Sequence, residues 1–138
     1  MSDDELLEAA RTALERSHPF GTHFAFELIE ATPDLVRLRM PFREELTRFN
    51  ATLHGGAVMS LADTAGVVRA ALDARGELAG TMHFAINFLR PVAGGHLDAV
   101  ARTVHSGRTS LVLETTLEDA DGRRVGLVTQ TQAVRPAD

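Results

Sequence analysis

Hydrophobic and polar positions predict two helices of different character. Between Asp3 and Arg16, leucine and alanine recur at helical spacing, with acidic residues early and arginines late, as the helix dipole favours. This pattern predicts an amphipathic N-terminal helix within residues 1–18. The segment from Ala57 to Leu72 is instead apolar on nearly every side. It predicts a buried central helix over residues 54–73, because a helix that is hydrophobic all round is stable only when it is enclosed.

The remaining hydrophobic runs are short, rich in β-branched residues and separated by turn-forming residues, which is typical of strands. Turn residues Thr32-Pro33-Asp34 predict a hairpin between the first two strands, and the turns near Ser106-Gly107 and Asp121-Gly122 predict antiparallel pairing of the last three. The six predicted strands are Thr22–Ala31, Leu35–Phe42, Thr81–Leu89, Leu97–His105, Thr109–Glu118 and Arg124–Val134.

The element order is therefore one helix, two strands, one long apolar helix and four strands. A single apolar helix can be hidden from water only if a sheet curves around it. We therefore predict an α+β fold in which a curved antiparallel sheet wraps one long central helix, in a single domain over residues 1–138.

Composition narrows the classes of partner. The net charge is -5, and the arginines are scattered rather than clustered, which argues against nucleic acid as a partner. The acidic N-terminus and the lack of a long apolar run favour a cytoplasmic protein with no membrane association. There is no cysteine, and the six histidines lack the spacing of a metal site, so we expect no metal.

Asp63 is the only charged residue between Gly56 and Val68. Ionising a carboxylate inside an apolar helix is costly unless it is paired, hydrogen-bonded or used in chemistry. Asp63 is therefore a candidate catalytic residue. The alternative is a carboxylate that only bonds the backbone or Thr64 in the core.

The run from Asn50 to Asp63, followed by Gly80-Thr81 and by Ile86 to Pro91, resembles the hotdog-fold acyl-CoA thioesterases of the phenylacetate-degradation (PaaI-like) branch. The similarity extends from about Phe20 to the end of the chain. Its most specific parts are the His54-Gly55-Gly56 turn and the carboxylate eight residues after the first glycine.

This resemblance implies the hotdog fold and hydrolysis of a thioester to a free acid and coenzyme A. It implies a homo-oligomer with sites shared between subunits and no cofactor beyond the coenzyme A of the substrate. By the same resemblance, Asp63 is the catalytic carboxylate, while Asn50, His54 and Gly55 surround the thioester carbonyl. Thr81 occupies the position of a hydroxyl residue that helps to place water.

Elementary chemistry is compatible with that implication. Backbone N–H groups of Gly55 and Gly56, at a helix N-terminus, are suited to bind the negative oxygen of a tetrahedral intermediate. Asp63 would act as a general base on water or as a nucleophile, and the sequence leaves both open. Gly56 and Asp63 are about two helical turns apart, roughly 10 Å, so one chain does not bring both to one carbonyl. We therefore expect a dimer with composite sites. The resemblance implies that two such dimers associate into a homotetramer.

Several of these residues also have structural interpretations. His54 would serve equally to bond the turn, Asn50 to brace it, and Thr81 to pack in a strand. Candidates for the phosphates of coenzyme A are Arg90, Arg108 and Arg124, and candidates for an acyl pocket are Phe20, Phe24, Leu46 and Phe84.

Two other functions compete with thioester hydrolysis. A hotdog enoyl-CoA hydratase or dehydratase would use a histidine and a carboxylate, for which His54 and Asp63 are available. A non-catalytic acyl-CoA binding module would use the same pocket without turnover. The sequence does not identify the acyl group, because aryl and straight-chain groups all fit an apolar slot.

Overall fold

The structure is a computed structural model that describes all 138 residues. Its helices and strands follow the predicted order, with two short 3-10 helices added at Phe20–Phe24 and Glu44–Leu46. The elements are α1 (Asp3–Glu15), β1 (Glu27–Ala31), β2 (Val36–Pro41), α2 (Gly55–Asp73), β3 (Gly76–Phe88), β4 (His96–Ser106), β5 (Ser110–Asp119) and β6 (Arg124–Pro136).

Helix α1 begins where its sequence satisfies the free backbone groups of the first turn. The Ser2 hydroxyl accepts a hydrogen bond from the Glu5 N–H at 3.2 Å, and the Glu5 carboxylate accepts one from the Ser2 N–H at 2.8 Å. This reciprocal capping box fixes the start of the helix. The buried face of α1 carries Leu6, Ala10 and Ala13, which confirms the predicted amphipathic helix.

The six strands form one antiparallel sheet in the order β1-β2-β4-β5-β6-β3. Helix α2 packs against the five strands β2 to β6, which requires the sheet to curve around it. The largest fully buried apolar side chains lie between the two: Leu38, Met40, Leu61, Leu97, Leu111, Leu113 and Leu117. The predicted α+β wrap around a central helix is confirmed.

Two strand boundaries were predicted wrongly. The expected strand from Thr22 starts only at Glu27, because Phe20–Phe24 forms a 3-10 helix and Ala25 adopts a left-handed φ of 53°. Phe24 stacks on Phe26 and lies tilted against Phe20, so packing rather than strand alternation explains the apolar residues of this segment. Strand β3 starts at Gly76, five residues before the expected Thr81, because Gly76 already pairs with Pro136.

The two edges of the sheet differ in length and exposure. Strand β1 has five residues and is contacted by α1, whereas β3 has thirteen residues, most of them exposed, and pairs only with β6. A long edge strand offers a row of unpaired backbone groups to another chain. None of the helices has the length and apolar character needed to cross a bilayer.

Candidate active site

Asp63 lies in the middle of α2, facing β3 and β6. Its Oδ1 accepts two hydrogen bonds, from the Thr81 hydroxyl at 2.8 Å and from the Gln130 side-chain amide at 2.9 Å. The Thr81 oxygen in turn accepts a hydrogen bond from the Gln132 amide at 2.7 Å. Both bonds to Asp63 end on Oδ1, so Oδ2 has no partner in the chain.

The expectation that Asp63 is enclosed in a helix apolar on every side is wrong. Asp63 is partly exposed, and Met59, one turn earlier on the same face, is 38% exposed. This face is open because β3 is the last strand of the sheet and nothing packs beyond it. The fully buried charge of α2 is instead Arg69, which is neutralised by hydrogen bonds at 3.1 and 2.7 Å to the Asp73 carboxylate.

Asp63 and Thr81 form part of the wall of a cleft of about 480 Å³. This volume is within the usual range for small-molecule sites. Strand β3, α2, the end of α1 and the 3-10 helix at Phe20–Phe24 supply its apolar walls, which consist of Ala13, Phe20, Met59, Val67, Val68 and Phe84. Of the four candidates for an acyl pocket, Phe20 and Phe84 line this cleft, whereas Phe24 and Leu46 line a neighbouring one.

His54 caps the N-terminus of α2. Its Nδ1 accepts a hydrogen bond from the Gly56 N–H at 2.8 Å, so in the neutral ring the hydrogen is carried by Nε2. The Gly56 amide, predicted to bind an oxyanion, is therefore already occupied by the cap. The Gly55 N–H has no acceptor in the chain and is the available donor of this turn.

Asn50 braces its own loop rather than the Asp63 cleft. Its Oδ1 accepts a hydrogen bond from the Thr52 hydroxyl at 2.7 Å. Thr52 lines a cleft together with Gly55, Phe88 and Arg90 on the far side of the helix N-terminus. Asn50 is therefore near the Gly55 end of the predicted site and not near the Asp63 end.

Within one chain, six of the predicted site residues are divided among three clefts. Asp63 and Thr81 share one cleft, His54 and Gly56 line a second, and Gly55 and Arg90 line a third. Gly55 and Asp63 are eight residues apart on α2, about 12 Å along the helix axis.

The other two predicted arginines are not among the residues that line these clefts, although Arg124 adjoins Val125, which lines the cleft of Gly55. Arg108 lies in the exposed turn between β4 and β5, and Arg124 is exposed at the start of β6. No group of three or more histidine, cysteine, aspartate or glutamate side chains is arranged to ligate a metal ion.

Gln130 and Gln132, which hold Asp63 and Thr81, were not predicted from the sequence. Both side chains are completely buried on the inner face of β6. The signal was present, because the inward positions Val128, Gln130, Gln132 and Val134 place two amides on an otherwise apolar face. Gly66 was missed as well, since a Cβ at this position would lie 1.9 Å from the Gln130 Oε1. Only glycine lets the amide come this close to α2.

The Asp63 site has the chemistry of a base or nucleophile. One carboxylate oxygen is held by uncharged donors, the other is free, and the adjoining cleft is largely apolar. No cation lies within ion-pair distance of this carboxylate. Such a carboxylate is suited to accept a proton from water or to attack a carbonyl carbon.

The chain is similar in sequence to proteins named as esterases and thioesterases. A candidate esterase of Saccharolobus solfataricus is 35% identical over 88 residues, which cover 62% of this chain and 61% of that protein. The chain thus spans less than two thirds of the length of that relative. The proofreading thioesterase EntH of Cronobacter turicensis is 30% identical over 103 residues, covering 74% of this chain and 75% of that protein.

A solved structure shares the fold. The PaaI protein of E. coli, from the phenylacetic acid degradation operon, superposes with a TM-score of 0.80 and 23% identity, covering 96% of this chain and 97% of that one. The family model of the thioesterase superfamily matches residues 50–125, more than half of the chain and all of α2. The chain therefore belongs to the thioesterase superfamily and has its hotdog fold.

Proposed function

We propose that this protein hydrolyses an acyl-CoA or aryl-acyl-CoA thioester to the free acid and coenzyme A. The observation that carries the proposal is Asp63, a carboxylate with Oδ1 held by Thr81 and Gln130 and Oδ2 free at the wall of an apolar cleft. Thioester hydrolysis needs an activated water or a nucleophile and a site for the oxyanion. It needs no group beyond these residues and the substrate.

Two routes use the free Oδ2. As a general base, it removes a proton from water while the water oxygen attacks the thioester carbonyl carbon. As a nucleophile, it attacks that carbon itself and forms a mixed anhydride, which water then hydrolyses. In both routes the tetrahedral intermediate collapses with cleavage of the carbon–sulfur bond, and the sulfur leaves as the thiolate of coenzyme A and is then protonated.

The developing oxyanion requires a donor, and the Gly55 N–H is the free donor at the N-terminus of α2. The Nε2–H of His54 extends from the same turn, because Nδ1 is used by the cap. In the proposal these two groups bind the carbonyl oxygen. Asn50 keeps the loop before the helix in place through Thr52.

The distance of about 12 Å between Gly55 and Asp63 requires a second subunit. The exposed edge of β3 supports a two-fold dimer in which two such edges pair and the two α2 helices run antiparallel. That packing would bring Asp63 of one protomer to Gly55 of the partner subunit, giving two equivalent sites. In the proposal two dimers associate further into a tetramer that works in the cytoplasm.

Phosphate recognition falls to Arg90 in this proposal, because Arg90 lines the same cleft as Gly55. Arg48 lines that cleft as well and adds a second positive charge. Coenzyme A would therefore extend from the Gly55 turn, while the acyl group occupies the cleft between Phe20 and Phe84. Arg108 and Arg124 are exposed and line neither of these two clefts.

The first experiment follows thiol release with a chromogenic disulfide, using phenylacetyl-CoA, benzoyl-CoA and straight-chain acyl-CoAs. Asp63→Asn removes the base but keeps the shape, and it should lower kcat by about 100-fold or more. Asp34→Asn is the matched control, because this exposed turn residue has no side-chain partner and should behave as wild type. Wild-type protein that releases no thiol from any of the esters would refute the proposal.

The competing functions have distinct outcomes in the same panel. A hydratase would consume enoyl-CoA without releasing thiol. A binding module would bind acyl-CoA equally well before and after Asp63→Asn, and neither form would turn over. The proposal expects Asp63→Asn to retain acyl-CoA binding, measured by calorimetry, while turnover is lost.

A further inference from the structure

We infer that Gln130 and Gln132 are positioning residues that present Asp63 to the thioester, an inference that rests on the proposed function. Both amides come from β6 and are completely buried. Gln130 donates directly to the Asp63 Oδ1, and Gln132 donates to the Thr81 hydroxyl oxygen. Together they hold Oδ1 in place and leave Oδ2 as the reacting oxygen.

Gln132 determines the direction in which the Thr81 hydroxyl points. A side-chain NH₂ group only donates, so the Thr81 oxygen accepts from Gln132 at 2.7 Å. The single hydroxyl hydrogen of Thr81 is then directed to the Asp63 Oδ1 at 2.8 Å. Without Gln132, this hydroxyl would be free to rotate and to accept from other donors.

Neutral donors hold a carboxylate without cancelling its charge. An arginine at the place of Gln130 would form a bidentate ion pair that occupies both carboxylate oxygens. Amide and hydroxyl groups fix the orientation of Asp63 and leave Oδ2 free, which suits a group that must accept a proton or attack carbon. This chain has fourteen arginines, yet β6 directs two glutamines at this site.

The two buried amides also lower the stability of the folded protein, so packing alone does not explain why glutamine occupies these positions. The Oε1 atoms of both Gln130 and Gln132 are buried without a hydrogen-bond partner. A buried carbonyl oxygen without a donor destabilises the folded state, and an apolar side chain of similar shape would remove that cost. The reason for glutamine at these two positions therefore lies in the NH₂ groups, which donate to Asp63 and Thr81.

Gly66 contributes to the positioning of Asp63 by making room for the Gln130 amide. It lies one turn after Asp63 on α2, and the Gln130 amide fills the space that its missing side chain leaves. The close approach fixes the Gln130 amide against the helix. It thereby gives the carboxylate a rigid donor on the sheet side.

The test compares Gln130→Met and Gln132→Met with wild type. Methionine keeps the length and removes the donor, so each variant should keep or raise Tm while kcat falls about 10-fold or more at nearly unchanged KM. A merely structural role predicts the reverse, a lower Tm with kcat preserved. The double variant should lose less than the product of the two single effects, because both act on one oxygen.

Thr115→Val is the matched control. Thr115 is a fully buried residue on the inner face of the neighbouring strand β5, and its hydroxyl also lacks a partner, so it makes no hydrogen bond to Asp63. We expect its kcat to equal that of wild type. Methionine variants with wild-type kcat, or a control that loses as much activity as they do, would overturn the inference.

A second measurement does not depend on turnover. Crystal structures of the two methionine variants should show the Asp63 carboxylate in more than one rotamer, or with Oδ1 displaced from the Thr81 hydroxyl. A single unchanged carboxylate would overturn the inference even if the wild-type protein hydrolysed no thioester. Failure of the proposed function is seen in wild-type assays, and failure of this inference is seen in the variant structures.

Discussion

Asp63 and Asp98 are both carboxylates placed against the sheet, and the protein holds them in opposite ways. Asp98 lies on the outer face, only 4% exposed, where its two oxygens accept hydrogen bonds at 2.8, 3.0 and 3.1 Å from the guanidinium groups of Arg39 and Arg37. Asp63 lies beside an open cleft, and both of its hydrogen bonds come from uncharged groups and end on one oxygen.

The difference separates a structural carboxylate from a reactive one. Burial alone would raise the pKa of Asp98, but the hydrogen bonds from Arg39 and Arg37 hold this pKa below its ordinary value. Asp98 therefore remains charged and ties β4 to β2. Asp73 is held similarly by Arg69 and the Thr103 hydroxyl at the end of α2. Of these three carboxylates, only Asp63 has no cationic partner and keeps an oxygen free.

The largest effect is expected when the same substitution, aspartate to asparagine, is made separately at each of the two sites. Asp63→Asn should lose about 100-fold or more in kcat while its unfolding free energy stays close to wild type. Asp98→Asn should keep kcat and lose about 1 to 3 kcal/mol of unfolding free energy, less than a fully buried pair because both arginines are partly exposed. Thiol release and denaturant unfolding at one protein concentration measure both quantities. Equal losses of activity in the two variants would contradict the assignment of Asp63 as reactive and Asp98 as structural.

A smaller effect is expected from filling the space beside Asp63. Gly66→Ala places a methyl group within 1.9 Å of the Gln130 Oε1, so the amide must move away from the helix. We expect a loss of about 1 to 3 kcal/mol in unfolding free energy and a fall in kcat. Gly94→Ala is the matched control, because a Cβ there meets no atom within 4 Å. Unchanged kcat in Gly66→Ala would show that the approach of Gln130 is unimportant for turnover.

The smallest expected effect is a change at acidic pH in the Tm difference between wild type and Asp98→Asn. Because the pKa of Asp98 is lowered in the folded state, this residue stabilises the protein above its ordinary pKa and loses that contribution as the pH falls through the folded pKa. The difference in Tm between wild type and Asp98→Asn should therefore be constant from about pH 7 to pH 5 and shrink by a few degrees toward about pH 3. A Tm difference that is independent of pH would show that Asp98 stabilises the protein through packing and not through its charge.

Much of this architecture follows from local pattern. The capping residues Ser2 and Glu5, the apolar run of α2 and the turn at Thr32 specify their elements through contacts within a few residues. Such contacts leave periodic or positional signatures that a sequence displays directly. The N-terminal end of β1 lacked such a signature, because the stacking of Phe24 on Phe26 and the left-handed Ala25 replace strand alternation.

The sequence by itself determined the element order, the candidate carboxylate and the distance along α2 that separates Asp63 from Gly55. Only the tertiary structure decided which groups hold that carboxylate, because Gln130 is sixty-seven residues away along the chain and reaches Asp63 through strand pairing and the absence of a side chain at Gly66. The tertiary structure also left Asp63 at an open face, since β3 ends the sheet beside it. Long-range hydrogen bonds of this kind depend on register and close approach, which no local pattern records.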